Sequence, residues 1–319
     1  MIYDSHVDTP SELLRSRDIS IDNITGHVDF PKLRRGGVDG SFFALYTSAE
    51  IAPDAATAHA LKMLAVVQDA IEKDGKSVIT VSPEQAAANR ERGVFSVFLG
   101  MENGSPIQES LSLLRLFHRL GVRYLTLTHN GDNAIADSAA EARTWGGLSP
   151  FGREVVAQMN RLGMMVDISH ASDDTFYDCI RYSKAPIVAT HSCCRALCGH
   201  RRNLTDDMLR ALADVDGYVG INFYPYFLKD SQVPAPGIKE IIDHIDHAVE
   251  ICGIDHVGIG SDFDGIEVTP VGLDDVSMMP LLFTEMRRRG YTQEQIDKVS
   301  GDNLMNVLGR VIKCSGTAG

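Results

Sequence analysis

Residues able to bind a metal or carry a proton stand at the end of nearly every short β-forming run in this chain, and that regularity restricts the fold more than any single motif. The runs are Met1 to Ser5, Gly40 to Tyr46, Phe95 to Met101, Tyr124 to Thr128, Met164 to Ser169, Ile187 to Thr190, Tyr218 to Asn222 and Val257 to Ser261. At or just past their ends lie His6 and Asp8, Tyr46, Glu102, His129, His170, His191, Asn222 and Asp262. Burying such groups without partners costs several kcal/mol each, so a chain does not place them this regularly by indifference. In a closed eight-stranded parallel barrel every C-terminal strand end meets at one face, where residues far apart in sequence share a pocket. The expectation is therefore a (β/α)8 TIM barrel, with residues 1–319 forming one domain.

The intervening segments agree. Ala55 to Asp74, Ile107 to Leu120, Ser149 to Leu162, Ser172 to Ser183, Thr205 to Ala213 and Ile238 to Cys252 carry apolar residues at helical spacing. Pro150 suits a first helical turn and Gly163 a helix end. Asp173 and Asp174 place negative charge at a helix start. Gly121 and Gly253 mark two more helix ends. Asp132 to Gly147 and Lys229 to Gly237 read as long loops, the usual carriers of function on a barrel. From Met278 onward two helices are expected to close the fold, one opening on the capping sequence Thr292-Gln293-Glu294-Gln295.

Composition excludes several classes of partner. A formal charge of -13 disfavours nucleic acid and anionic membrane surfaces. No apolar run reaches the ~18 residues of a membrane helix, and the N-terminus shows no basic and apolar leader, so a cytoplasmic protein is expected. Six cysteines in a chain of this length read as free thiols. Neither a Gly-x-Gly-x-x-Gly nor a P-loop supports nucleotide binding. A homodimer is the default assembly.

His6-Val7-Asp8 is the sharpest element, because strand alternation sends both side chains to one side, where an imidazole and a carboxylate reach one divalent ion. Alone, this pattern is common by chance. His170 and His191, after consecutive strands, read singly as core histidines; as a pair with the His-x-Asp and an acidic residue they read as metal ligands. Glu102 either caps a helix or bridges two cations ~3.5–4 Å apart. His244 and His247, among acidic neighbours, read as a solvated helix face. His27, His59, His118, His200 and His256 show no partner pattern. His191-Ser192-Cys193-Cys194-Arg195-Ala196-Leu197-Cys198-Gly199-His200 mimics a zinc knuckle with the wrong spacing, so buried thiols are expected.

In order, the segments Asp4-Ser5-His6-Val7-Asp8, Gly100-Met101-Glu102-Asn103-Gly104, Leu127-Thr128-His129-Asn130, Asp167-Ile168-Ser169-His170, Thr190-His191-Ser192, Arg201-Arg202-Asn203-Leu204, Gly220-Ile221-Asn222-Phe223-Tyr224 and Gly260-Ser261-Asp262-Phe263-Asp264-Gly265 resemble the membrane (renal) dipeptidase family of the amidohydrolase superfamily, and its soluble bacterial members in particular. The resemblance spans the whole chain. It implies a binuclear zinc metallopeptidase that cleaves dipeptides, including ones with a D residue at the C-terminal position, with no membrane anchor. It assigns His6 and Asp8 to one Zn2+, His170 and His191 to a second, and Glu102 to the bridge. A hydroxide shared by the metals would attack the peptide carbonyl. His129 would stabilise the carbonyl oxygen, Asp262 would move protons and Arg202 would bind the substrate carboxylate. Asn103 departs from the family, which commonly has Gly there; Val7 and Phe227 are further departures. The alternatives are another amidohydrolase, acting on N-acyl amino acids or lactones, and a metal-binding protein without catalysis.

Overall fold

A computed structural model describes residues 1–140 and 143–315. Its strands are β1 (Tyr3–Val7), β2 (Gly40–Tyr46), β3 (Ser77–Ile79), β4 (Phe95–Glu102), β5 (Val122–Thr126), β6 (Met165–Asp167), β7 (Ile187–Ser192), β8 (Tyr218–Ile221) and β9 (Val257–Ile259). The order is β1-β2-β4-β5-β6-β7-β8-β9, with every pairing parallel; β3 pairs with β4 off this path. The two ends of that path meet. The Ser5 hydroxyl donates to the Ile259 carbonyl at 2.7 Å, the Asp262 N–H to His6 at 3.0 Å and the Asp8 N–H to Phe263 at 2.9 Å. The strands and their helices thus make the expected (β/α)8 barrel.

The barrel interior shows why it closes. Tyr3, Phe42, Phe98, Tyr124, Met165, Val188 and Tyr218 pack inside it against Leu304, Val307, Leu308 and Val311 of the last helix, Asn303–Ser315, which plugs the N-terminal end of the barrel. Fully burying each such side chain is worth about 1.5–3 kcal/mol. Glycines make room for the tyrosines: a Cβ at Gly100 would lie 2.0 Å from the Tyr124 ring, and one at Gly258 would lie 2.4 Å from the Tyr218 hydroxyl. The larger apolar layer lies between strands and outer helices and includes Val97, Leu99, Val155, Val156, Ile241 and Ile245.

Several sequence expectations need correction. The run Met1 to Ser5 starts and ends two residues later as β1, so His6 lies within the strand. The helix expected at Ile107 to Leu120 shortens to Leu111–Arg119, because Gln108 and Glu109 adopt left-handed backbone (φ 46° and 52°) and Ser110 then caps the helix. The helices Thr9–Leu14, Phe30–Arg35, Pro83–Glu91 and Pro225–Leu228, and strand β3, lie outside the expected elements; Pro83–Glu91 has only alanines to mark an apolar face, and the others are too short to show a period. Among the described residues three helices, not two, follow Met278: Met279–Arg288, Gln293–Asp297 and Asn303–Ser315, the last two joined by a π-helical stretch. The expected capping at Thr292 is present, its hydroxyl accepting the Gln295 N–H while Gln295 returns a bond to the Thr292 N–H. No helix among the described residues is long and apolar enough to cross a membrane.

Candidate metal centre

All nine strand-end residues converge at the C-terminal mouth of the barrel. Asp8, Tyr46, Glu102, His129, His170, Arg202 and Asp262 line one cavity of about 950 Å3. His6 and His191 are fully buried behind the cavity lining, 3.7 and 3.5 Å from Glu102, and Asn222 donates from Nδ2 to Asp262 Oδ2 at 2.9 Å. Two of the ligand-bearing turns hold non-glycine residues in left-handed backbone, His170 at φ 66° and Asp262 at φ 62°. Such conformations cost of order 1–3 kcal/mol and persist where surroundings impose them, commonly at functional sites. Asn103, directly after Glu102, is left-handed too at φ 78°, the backbone state glycine tolerates best. Its side chain compensates, donating to the Thr47 carbonyl at 2.9 Å and accepting from Asn133 at 2.9 Å.

The central carboxylate is Glu102. Its Oε2 lies 3.7 Å from His6 Nε2, while its Oε1 lies 3.1 Å from His170 Nε2 and 3.5 Å from His191 Nε2. Asp8 Oδ2 is 3.3 Å from His6 Nε2 and Asp262 Oδ1 is 3.9 Å from the same nitrogen. Potential ligand atoms fall into three compact sets: His6, Glu102 and His191; Glu102, His129 and His170; and His6, Asp8 and Asp262. A nitrogen of His129 thus lies within 4.8 Å of the Glu102 carboxylate, its ring 4.3 Å from that of His170 and edge-on to Tyr46 at 4.7 Å.

Hydrogen bonding decides whether these residues suit a cation. The Asn130 side-chain oxygen, 3.1 Å from His170 Nδ1, can only accept, so that nitrogen carries the proton and His170 Nε2 is a bare lone pair. The Thr190 hydroxyl donates to Asp167 at 2.7 Å and lies 2.9 Å from His191 Nδ1, which leaves His191 Nε2 bare as well. The two Nε2 atoms are 3.0 Å apart, and both face Glu102 Oε1. Asp8 Oδ1 is buried and has no hydrogen-bond partner. An electron-rich pocket of imidazole nitrogens and carboxylate oxygens is satisfied by divalent metal, and borderline ions such as zinc prefer this donor set.

The electrostatics point the same way. Burial pushes the Asp8 and Asp262 carboxyls up to about 7 each, and Glu102 well above the usual range, with Asp8 adding to its rise. Burial, the Arg202 charge and the neighbouring imidazoles hold His170 and His191 well below the ordinary histidine value. The metal-free site therefore resists both carboxylate charge and imidazolium, and neutral imidazole is the form a metal requires.

Arg202 sits across the cavity. It is buried, its guanidinium 5.4 Å from the Phe227 ring centroid, and one of its amines donates to the His191 carbonyl at 3.3 Å. Its Nε has no partner.

Residues that sequence reasoning passed over complete the cavity. His27 and His200 both line it; His27 Nδ1 accepts from the Asp264 N–H at 2.9 Å, and His200 packs on Phe227 with ring centroids 4.5 Å apart. Arg17 pairs with buried Asp264 on the far wall. No local pattern marks these positions, which become neighbours only when the barrel closes. His244 is a correction: it is fully buried, not solvated, with Nδ1 accepting from the Cys194 N–H and Nε2 donating to the Leu228 carbonyl, both at 3.0 Å. His247 pairs with Asp206 at 2.8 Å. Cys193, Cys194 and Cys198 are buried thiols, as expected.

Comparisons with known proteins agree with this geometry. A family model described as membrane dipeptidase (peptidase family M19) matches residues 1–318. An uncharacterised dipeptidase of Schizosaccharomyces pombe is 36% identical over 96% of this chain and 79% of its own length. Among solved structures, a metallopeptidase of family M19 called dipeptidase AC is 32% identical, with a TM-score of 0.91 over 97% of this chain and 98% of its own. A metallopeptidase from Rhodobacter sphaeroides, bound to a phosphinate mimic of the dipeptide L-Ala-D-Ala, is 31% identical, with a TM-score of 0.91 over 97% of this chain and 99% of its own.

Proposed function

The chain belongs to the membrane dipeptidase family, and on that premise we propose that it is a dipeptidase working with two zinc ions. His6 and Asp8 would hold one ion and His170 and His191 the other, with the Glu102 carboxylate available to both sets of ligands. The observation that carries this reading is the disposition of Glu102, which turns one carboxylate oxygen toward His6 and the other toward His170 and His191. Zinc bound there supplies a water acidified toward neutral pH and polarises the scissile carbonyl.

The chain's own groups do the rest. Asp262 accepts the proton of the attacking water and returns it to the leaving amine; Asn222 holds its Oδ2, which leaves Oδ1 for that transfer. His129 is kept neutral, burial and Arg202 pushing it down to about 3, so it donates an N–H to the carbonyl oxygen as negative charge develops. The Arg202 guanidinium takes the free carboxylate at the substrate's C-terminus, which confines activity to very short peptides.

Dipeptides with a D residue at the C-terminal position fall within the proposed substrate class. Support comes from the Rhodobacter sphaeroides relative, whose ligand mimics L-Ala-D-Ala. A site drawing on residues from His6 to Asp262 supports reading residues 1–319 as one catalytic domain. The test is a panel of dipeptides of both configurations, together with N-acyl amino acids and lactones, assayed with zinc and after chelation. Chelator-sensitive release of amino acids from dipeptides is expected; turnover of lactones alone would overturn the reading.

A further inference from the structure

Asp167 is fully buried beneath the site and touches none of the ligand-forming atoms, yet it is among the most heavily bonded side chains in the barrel. Its Oδ1 accepts the N–H of Ser169 at 3.1 Å and of Thr190 at 2.9 Å. Its Oδ2 accepts the hydroxyls of Thr126 at 2.6 Å and Thr190 at 2.7 Å. These donors come from β5, from the turn after β6 and from β7, so one carboxylate ties together three consecutive strand ends. The same two backbone bonds fix the chain directly before His170 and His191.

The Thr190 hydroxyl has a single hydrogen, and Asp167, an acceptor only, takes it. The hydroxyl oxygen therefore faces His191 Nδ1, 2.9 Å away, as an acceptor. Ser169, whose hydroxyl accepts the His191 N–H at 3.1 Å, lies 3.4 Å from the same oxygen and has a hydrogen to offer it. His191 Nδ1 must then carry the ring proton, and its Nε2 lone pair is turned toward Glu102. We infer that Asp167, acting through Thr190, is a positioning element that selects the metal-binding tautomer of His191. The inference rests on the proposal that His191 holds a metal.

Outer groups of this kind set ligand orientation and basicity, and their loss costs about 10–100-fold in metal affinity. Replacing Thr190 with Val keeps the shape and removes the acceptor, whereas Ser keeps the hydroxyl. Zinc affinity measured by chelator competition should fall about 10–100-fold in Thr190→Val for one of the two ions, and Thr190→Ser should restore it. Melting of the metal-free variants verifies that they fold. Independently of any variant, 15N NMR of the metal-free wild-type protein should report His191 protonated at Nδ1. Wild-type affinity in Thr190→Val, or a proton on Nε2 of His191 in the wild type, overturns the inference. His191→Ala separates it from its premise: unchanged zinc binding in that variant would show that His191 is not a ligand, a failure of the underlying reading and not of the tautomer argument alone.

Discussion

The backbone N–H of Asp262 donates to the carbonyl of His6 at 3.0 Å, so a residue from the far end of the chain is bonded directly to one in the first strand, inside the site. This bond helps close the barrel and also fixes the distance between a candidate metal ligand and the candidate proton carrier. With Asp262 in left-handed backbone and its Oδ2 held by Asn222, its carboxylate has little freedom to seek another role.

Asp262→Asn should therefore lower kcat by about 10²–10⁴-fold, the usual contribution of a positioned acid or base. The amide cannot accept a proton, but the barrel and the His6, Asp8 and Glu102 cluster remain. Steady-state kinetics alongside metal analysis gives the check: normal turnover would remove the proton-transfer role, and lost metal would recast Asp262 as a ligand.

Arg202→Ala should act on binding. A guanidinium holding a carboxylate through charge-assisted bonds contributes about 1.5–3 kcal/mol, or roughly 10–100-fold in KM. Arg202→Lys should recover little of this, because an ammonium lacks the planar fork and the stacking on Phe227. An unchanged KM in the alanine variant would sink the clamp.

Much of this site was legible in the sequence because a parallel barrel converts position along each strand into position in space. His6, Glu102, His170 and His191 could be found as strand-end residues without knowing any contact. Their partners could not. Tyr124, 2.8 Å from His6 Nδ1, reads in sequence as an ordinary apolar strand residue, and Asn130 and Thr190 as loop and strand polarity. Which hydroxyl meets which imidazole depends on strand register and barrel closure, and neither leaves a local periodicity. His244 failed for the opposite reason. Its acidic neighbours on the helix suggested solvent, but Asp243 and Asp246 are engaged by Arg289 on the outer side, while His244 points inward to Cys194 and Leu228.

That inward histidine makes stability depend on pH. Burial holds His244 down to about 4, against 6.5 for an exposed histidine, so between those values the unfolded chain binds a proton that the folded one does not. The stability tied to neutral His244 is fully present above pH 6.5 and is lost as pH falls toward 4, at up to about 1.4 kcal/mol per pH unit. The measurement is urea unfolding of the metal-free protein across that range. His244→Gln should be less stable at pH 7 but lose less on acidification; identical pH slopes for the two proteins would show that His244 is not responsible.

The barrel floor gives the last prediction. A methyl group at position 100 would sit 2.0 Å from Cζ of Tyr124 and 2.4 Å from its hydroxyl, and that ring is fully buried among the interior aromatics. The side chain cannot yield without displacing Phe42 or lifting its hydroxyl away from His6. Gly100→Ala should therefore cost about 1–3 kcal/mol of stability, the usual range for overpacking, and should weaken zinc binding through the displaced partner of His6. Shrinking the neighbour tests the cause: the double variant Gly100→Ala/Tyr124→Leu should cost less than the sum of the two single variants, since residues in contact couple by about 0.5–3 kcal/mol. Strict additivity in a double-mutant cycle of urea midpoints would mean that the methyl group meets something other than Tyr124.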